Sequence, residues 1–149
     1  MKFSTKGRYG LRAMVDLAVH AKGDHVALYS IAERQGISTN YLEQVFSMLR
    51  KAGLVKSVKG AQGGYILAES PTDINVGRIL RALEGPLSVI DENAESSNGK
   101  ETSIQQCIKA VVWDKMNESL NELADSVTLE DLAENYRKLN GIEDTMYYI

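Results

Sequence analysis

One stretch of the chain carries side chains that could read the edges of bases. Four polar residues recur at intervals of four, three and four positions and so share one face of a predicted helix: Asn40, Gln44, Ser47 and Lys51. Asparagine and glutamine can bond adenine bidentately, and Glu43 can accept a hydrogen bond from cytosine. The same pattern is typical of a solvated helix face, so the stripe alone leaves both interpretations open.

A glycine-rich segment between two short β-branched runs is a second candidate. Residues 54–58 (Leu-Val-Lys-Ser-Val) and 65–67 (Tyr-Ile-Leu) predict strands, and three glycines lie between them. Glycines permit a tight turn whose N–H groups approach phosphates, and Lys56 and Lys59 would place positive charge at its tip. A nucleotide-binding loop would need a Lys-Ser/Thr pair opening a helix, whereas a strand follows here. The segment therefore predicts a hairpin wing.

The chain has one cysteine and two histidines, which limits the catalysis and metal binding it could support. Cys107 cannot form an internal disulfide, and a lone thiol fits a reducing compartment. A cysteine nucleophile needs a neighbouring base, but His20 and His25 lie in no recognisable motif. The sequence therefore predicts no enzyme. Cys107 is interpreted either as a small apolar residue on an inner helix face or as a redox switch.

A first helix is predicted ahead of the polar stripe. It begins at Ser4 or Thr5, whose hydroxyls can cap it, and runs to about Ala21, before Gly23. Its inner face is predicted to consist of Leu11, Met14, Val15 and Ala18.

Two short helices then carry the stripe itself. Residues 29–35 form one helix that ends at Gly36, and Ser38 is the expected N-cap of the next. Their inner residues are expected to be Ile31 and Ala32 in the first, and Leu42, Val45, Phe46 and Leu49 in the second. Two short helices joined through a glycine are typical of a helix-turn-helix, whose second helix enters the major groove of DNA.

Charge divides unevenly between the two halves of the chain. Residues 1–65 hold ten Lys/Arg and four Asp/Glu, a formal charge of +6, and the remainder hold seven Lys/Arg and sixteen Asp/Glu, a formal charge of −9. This split indicates a polyanion-binding module joined to a separate regulatory or assembly module. No apolar run approaches a membrane span or a signal peptide, so we expect a cytoplasmic protein with no membrane partner.

The acidic half is predicted to supply an assembly element. Residues 91–103 are polar and predict a flexible loop, and a long helix follows over 104–125. The long helix carries an apolar stripe too extensive for a lone helix, formed by Ile104, Ile108, Val111, Val112, Met116, Leu120 and Leu123.

Two further helices carry N-cap signals. Asn75 is a suitable N-cap for a helix over 76–84, which ends at Gly85. Thr128, with Asp131 three residues later, predicts a variant of the capping box at the start of the final helix.

Five sequence motifs follow one another along the chain. They are the opening Met-Lys-Phe-Ser-Thr-Lys-Gly-Arg-Tyr-Gly, residues 31–38 (Ile-Ala-Glu-Arg-Gln-Gly-Ile-Ser), 41–44 (Tyr-Leu-Glu-Gln), 49–55 (Leu-Arg-Lys-Ala-Gly-Leu-Val) and 63–65 (Gly-Gly-Tyr). This set resembles the IscR/CymR family of bacterial winged-helix repressors. The resemblance is dense over 1–86 and resumes at Trp113 and at Thr128-Leu-Glu-Asp-Leu.

Together the patterns and the resemblance predict a mostly α fold with a small β-hairpin wing. A winged helix-turn-helix domain is expected over 1–86, a flexible loop over 87–103, and a dimerisation helix with a C-terminal helix over 104–149. The resemblance implies a homodimer on a pseudo-palindromic double-stranded DNA operator, with the apolar stripe at the dimer interface and against the first helix of the partner. It implies base reading by Asn40, Glu43 and Gln44 and a wing contact by Lys59.

The full set of candidate DNA-binding residues is wider and includes the N-terminus of the first helix. It comprises Lys2, Ser4, Lys6, Arg8, Ser38, Thr39, Asn40, Tyr41, Glu43, Gln44, Arg50, Lys56, Lys59, Gly60 and Gln62.

The resemblance also raises the question of a cofactor. Cluster-binding relatives hold a [2Fe–2S] centre through three cysteines before the tryptophan and a histidine beyond the last. Cys107 matches that last cysteine, while Glu95, Glu101 and Ala110 stand at the other ligand positions. Because clusters need thiolate or imidazole donors, we expect no cofactor and no metal.

Two functions follow from the resemblance. The first is a repressor of cysteine or sulfur metabolism that takes its signal from a cysteine-biosynthesis enzyme as regulatory partner. The alternative is a regulator of iron–sulfur cluster biogenesis that senses a cluster or thiol oxidation.

Overall fold

A computed structural model describes residues 2–91 and 102–141. Within these ranges the elements are α1 (Thr5–His20), α2 (Leu28–Gln35), α3 (Thr39–Lys51), β1 (Val55–Val58), β2 (Gly64–Leu67), α4 (Val76–Glu84), α5 (Ser103–Ile108), a π turn (Lys109–Trp113), α6 (Asp114–Ser126) and α7 (Leu129–Leu139). The fold is mostly helical with one hairpin, as predicted. Most of the predicted flexible loop lies outside the described residues, as do Glu95, Glu101 and the chain beyond residue 141.

The backbone geometry confirms the predicted helix-turn-helix. α2 ends at Gly36, whose φ of 66° and ψ of 37° fall in the left-handed region that favours glycine. Ser38 caps α3, because its side chain accepts a hydrogen bond from the Tyr41 backbone N–H at 3.2 Å. The predicted inner residues are buried, namely Ile31, Ala32, Leu42, Val45, Phe46 and Leu49. The polar face of α3 is therefore turned away from the core.

The hairpin is antiparallel and is attached to the core through Val55 of β1 and Tyr65 and Leu67 of β2. β1 pairs with β2 so that Val55 lies opposite Leu67. The Tyr65 ring packs at 4.8 Å from the Phe46 ring of α3. The Tyr65 backbone also exchanges two hydrogen bonds of 2.9 Å with Val26, just before α2. These contacts hold the wing against both helices of the helix-turn-helix.

The prediction for α1 is wrong at its cap and incomplete on its inner face. Ser4 occupies the N-cap position, but its side chain makes no capping hydrogen bond. On the predicted inner face Met14 is fully buried, and Leu11, Val15 and Ala18 are half-buried and pack against the same core. The buried face also includes the small residues Gly7, Gly10 and Ala13, because α1 lies very close to α4. A Cβ atom on Gly10 would come within 2.2 Å of the Leu83 side chain.

A buried ionic cluster joins α1 to α2. The Asp16 carboxylate accepts hydrogen bonds from Arg34 Nε at 2.9 Å, Arg34 Nη2 at 2.7 Å and Gln35 Nε2 at 2.9 Å. The Asp16 side chain is 1% exposed. Because these donors come from the last turn of α2, the cluster fixes how α2 approaches the turn before α3.

The two predicted caps in the second half are confirmed. The Asn75 side chain accepts from the Arg78 N–H at 2.8 Å and so caps α4. Thr128 and Asp131 form a reciprocal capping box at the start of α7, with both hydrogen bonds at 3.0 Å. Beyond this cap, Leu129 is fully buried in the same core as the residues of α1–α4.

The predicted helix over 104–125 is present, but it is not a regular α-helix throughout. The backbone stays helical where α5 meets the π turn, at Ile108, and where the π turn meets α6, at Trp113. We refer to the continuous segment 103–126 as the long helix. Its π turn accommodates an additional residue, a local rearrangement that the 3.6-residue apolar period does not reveal.

Candidate nucleic-acid interface

The outer face of α3 has the geometry predicted for a base-reading helix. Asn40, Glu43 and Gln44 are exposed on its first two turns, just after the Ser38 cap. With Ser47, Met48 and Lys51 they line a shallow groove of about 640 Å³. Within residues 2–91 and 102–141, no hydrogen bond or ion pair engages the side chains of Asn40, Glu43 or Gln44. Their donors and acceptors are available to an external partner.

The start of α3 is supported by α1 through an aromatic contact. The rings of Tyr9 and Tyr41 meet edge to face at 6.0 Å between centroids, and the Arg12 guanidinium lies 4.9 Å from the Tyr9 centroid. Arg12 also donates to the backbone carbonyl of Gln35, the last residue of α2. A cation there satisfies a terminal carbonyl and complements the helix dipole. Tyr41, a predicted DNA-binding residue, therefore also has a structural contact.

The wing presents an exposed turn of the predicted kind. Lys59, Gly60 and Gln62 are exposed in it, and Gly60 has a φ of 128°. Gly63 must be glycine, since a Cβ atom there would lie 2.4 Å from the Val58 carbonyl oxygen. The prediction that Lys56 lies at the tip is wrong. Lys56 belongs to β1 and pairs with Ile66 of β2, although its side chain is exposed.

The remaining candidates lie at two other places. Lys2, Ser4, Lys6 and Arg8 are exposed around the N-terminus of α1. Arg50 is exposed in the last turn of α3, about 15 Å along the helix from Asn40 at the usual rise per residue. Thr39 begins α3 and is half-buried.

Two supporting residues were missed by sequence reasoning. Glu84 at the end of α4 accepts hydrogen bonds from the backbone N–H of Ser4 at 3.2 Å and of Gly7 at 2.9 Å. Asp16 holds α2. Both residues lie far from their partners in the sequence, so no local spacing pattern predicts these contacts.

The predicted assembly stripe is exposed along most of its length. Ile104, Val111 and Leu123 are 73%, 61% and 65% exposed, and Ile108, Val112 and Met116 are exposed as well. Leu120 differs, because it is half-buried against a small cluster formed by Leu80, Leu87 and Ala124. A contiguous apolar surface of this kind on a protein indicates an interaction site.

The described residues do not form a metal site. Among residues 2–91 and 102–141, no three His, Cys, Asp or Glu side chains come together. The His20 ring bonds the Asp16 carbonyl at 2.9 Å, and the His25 ring lies beside Asp24. Cys107 is exposed on α5. With one thiol in the sequence, the donor set does not fit an iron–sulfur cluster.

These features define a class of protein. A capped helix that presents free amide and carboxylate groups, reached through a tight turn and followed by a hairpin wing, is the arrangement of a winged-helix DNA-binding protein. In the described part of the chain, no helix is both long and apolar enough to cross a bilayer.

Comparison with known proteins specifies the family. Residues 3–135 match the Rrf2 family, described as iron-dependent transcriptional regulators, and the chain belongs to that family. It is 45% identical over 134 residues to the transcriptional regulator CymR of Bacillus subtilis, covering 89% of this chain and 90% of that protein. It is 38% identical over 141 residues to IscR of Pectobacterium atrosepticum, covering 94% and 84%.

Solved structures agree with this assignment. The structure of B. subtilis CymR matches with a TM-score of 0.76 and 43% identity over 91% of this chain and 98% of that one. That of T. potens IscR matches with a TM-score of 0.74 and 49% identity over 93% and 90%. The resemblance to the IscR/CymR family is thereby confirmed. The protein is a DNA-binding transcriptional regulator of a non-enzymatic family, as predicted.

Proposed function

We propose that the protein is a homodimeric repressor that binds a pseudo-palindromic operator and controls genes of cysteine or sulfur metabolism. The observation that carries the proposal is the outer face of α3, where Asn40, Glu43 and Gln44 are exposed and unpaired among the described residues. A regulator of this kind acts in the cytoplasm, where the operator is.

The homodimer is supported by two unpartnered apolar surfaces on the same chain. One is the stripe of the long helix. The other is a cavity of about 640 Å³ between α1, α2 and α7, whose lining is largely apolar and includes Leu11, Val15, Val19, Leu132 and Tyr136. In a two-fold assembly the stripe of each copy can pack against the stripe and the cavity of the other copy.

The regulatory signal is proposed to come from a docked protein. The solved B. subtilis relative is described as a global cysteine regulator, which favours cysteine metabolism here and a cysteine-biosynthesis enzyme as partner. The excess of acidic residues after residue 65 offers a surface for a basic partner.

The alternative function, a cluster-sensing regulator of iron–sulfur biogenesis, is favoured by one observation. The identity to T. potens IscR, 49%, is above the 43% to the solved CymR. The donor chemistry favours the first function, because Cys107 is the sole thiol of the chain and no imidazole stands near it in the sequence.

Gln44→Ala and Lys59→Ala should weaken DNA binding in different ways. Gln44→Ala should remove a base contact, cost about 1–3 kcal/mol on the operator and relax discrimination at one position per half-site. Lys59→Ala should weaken binding to operator and random duplexes together and flatten the slope of log K against log salt. Fluorescence anisotropy titrations over a salt series measure both effects.

The matched control is Lys22→Ala, which removes one positive charge from an exposed loop residue outside the candidate set. Its salt slope should equal that of the wild type. Equal losses from Gln44→Ala and Lys59→Ala on all sequences would contradict the assignment of one residue to bases and the other to phosphate.

Cys107 is expected to be neither a cluster ligand nor the switch. Protein purified without oxygen should be colourless and bind the operator, and Cys107→Ser should bind it equally with or without peroxide. Absorption between about 400 and 460 nm that dithionite bleaches would contradict the cluster-free proposal. A peroxide response that the wild type shows and the serine variant lacks would contradict regulation by docking alone.

A further inference from the structure

The carboxylate of Glu84 takes the place of a cap at the start of α1. Glu84 is the last residue of α4, and its Oε1 accepts the Ser4 N–H at 3.2 Å, the Gly7 N–H at 2.9 Å and the Ser4 hydroxyl. The Ser4 side chain, which would ordinarily cap the helix, is thereby directed to another element. The N–H groups of Ser4 and Gly7 are thus bound by a residue 80 and 77 positions away in the sequence.

Charge at this end of α1 favours the same contact. The first turn of α1 contains no acidic residue, so Glu84 supplies the negative charge that complements the helix dipole. Burial alone would raise the pKa of Glu84, but hydrogen bonds from Ser4 and Gly7 and the nearby Lys6 hold it below its usual range. Glu84 is therefore an anion bound to the positively charged N-terminal segment that contains Lys2, Lys6 and Arg8.

The approach of the two helices is too close for larger residues. A Cβ atom on Gly7 would lie 2.6 Å from Glu84 Oε1. The α1 backbone at Gly7 therefore lies directly against the Glu84 side chain, so a displacement of α4 that moves Glu84 also moves the acceptor of the Gly7 N–H.

The same face of α4 is bound to the long helix, since Gly77, Arg81 and Glu84 follow one another at intervals of four and three positions. Arg81, one turn before Glu84, donates to Asp125 Oδ1 at 2.7 Å, to Asp125 Oδ2 at 3.1 Å and to Asn121 Oδ1 at 2.7 Å. Gly77 permits this contact, since a Cβ atom there would lie 2.1 Å from Asp125 Oδ1. α4 is thus bound to α6 through Gly77 and Arg81 and, at its last residue Glu84, to the start of α1.

We propose that Glu84 is a positioning residue for DNA binding, which with Arg81 makes the placement of Ser4 and Lys6 against phosphate depend on the long helix. The inference rests on the proposed function, because it takes the N-terminus of α1 as a phosphate contact. It assigns α4, which carries none of the candidate DNA-binding residues, a role between the assembly element and the DNA-facing one.

Glu84→Gln in the full chain is the first test. The amide keeps the length of the side chain but loses the charge and half of its acceptor capacity. Operator affinity should fall about fivefold, and the slope of log K against log salt between about 50 and 200 mM should become shallower by about 0.9 for each phosphate that the protein no longer neutralises. Discrimination at the position read by Gln44 should not change.

The matched control is Glu69→Gln. Glu69 pairs with Arg78 of α4 at 2.5 Å, as Asp125 pairs with Arg81. Glu69 lies on an exposed surface, however, and makes no hydrogen bond to α1. This variant should keep both the affinity and the salt slope of the wild type. Asp125→Asn tests the other end of the relay and should reproduce the shallower slope while the protein remains dimeric.

The readouts separate a positioning role from a merely structural one. If Glu84→Gln lowers the melting temperature but leaves affinity and slope unchanged well below that temperature, Glu84 is only a helix cap and the proposal is overturned. An unchanged slope in Asp125→Asn would overturn the link to the long helix. Failure of the proposed function gives a different result, in which the wild type itself shows no preference for operator over random duplex.

Discussion

Replacing Val111 and Leu123 with glutamate is expected to convert the protein to monomers and to abolish tight operator binding. Both side chains are more than half exposed in the chain, so the substitutions cost little within one copy. At the proposed dimer interface they would bury unpaired carboxylates, at a cost of several kcal/mol.

The loss of DNA binding follows from the geometry of the operator. A single helix-turn-helix cannot reach two half-sites that lie about one helical turn apart. Operator affinity should therefore fall by roughly 10³-fold or more, towards the level of random duplex. Sedimentation velocity and anisotropy titrations on the same samples measure the two effects together.

The matched control places two carboxylates elsewhere on the long helix. Gln106→Glu with Ala110→Glu changes exposed residues outside the apolar stripe and should leave both dimer and affinity intact. Leu120 is unsuitable for this test, because it packs against Leu80 and Leu87 within its own chain. A Val111→Glu/Leu123→Glu protein that sediments as a dimer would show that the interface lies elsewhere.

Asp16→Ala is expected to be the most destabilising substitution of a charged side chain among those considered. It leaves Arg34 without its bidentate partner and Gln35 without an acceptor, next to a buried site. Because the remaining Arg34 is 36% exposed, no charge is left buried, and the lost hydrogen bonds to the carboxylate should cost about 1.5–3 kcal/mol. Urea unfolding at fixed protein concentration measures the loss, the concentration being held constant because assembly contributes to apparent stability.

The comparison is Glu69→Ala, which breaks a bidentate pair of similar geometry on the surface. Both Glu69 and Arg78 are more than a third exposed, at 39% and 36%, so this loss should stay below about 1 kcal/mol. Similar losses for the two variants would contradict the account of Asp16 as a buried anchor for α2.

Features of the fold that depend on residues close together in the sequence were predictable. Ser38, Asn75 and Thr128 each cap a helix through a backbone N–H three positions ahead, so the cap is encoded within one turn. The spacing of the apolar residues predicts the inner face of α3, and the polar residues between them therefore form its outer face. The base-reading candidates Asn40 and Gln44 were therefore accessible from the sequence.

Contacts between distant elements were not predictable in the same way. The cap of α1 comes from Glu84 rather than Ser4, and the cluster around Asp16 depends on how α1 and α2 pack. The inner face of α1 was assigned only in part, because the closest approach to α4 is made by glycines, which no hydrophobic pattern marks. Small residues at helix contacts allow the backbones to approach, so such a face shows a gap in the apolar period rather than a peak.

We propose that two copies of the chain read two related half-sites through α3 and the wing. Selection of bound duplexes from a random pool by the full-length protein, followed by sequencing, tests it most directly. We expect an enriched inverted repeat with half-site centres about one helical turn apart. Recovery of sequences with no shared inverted repeat, at an affinity equal to that for random duplex, would contradict it.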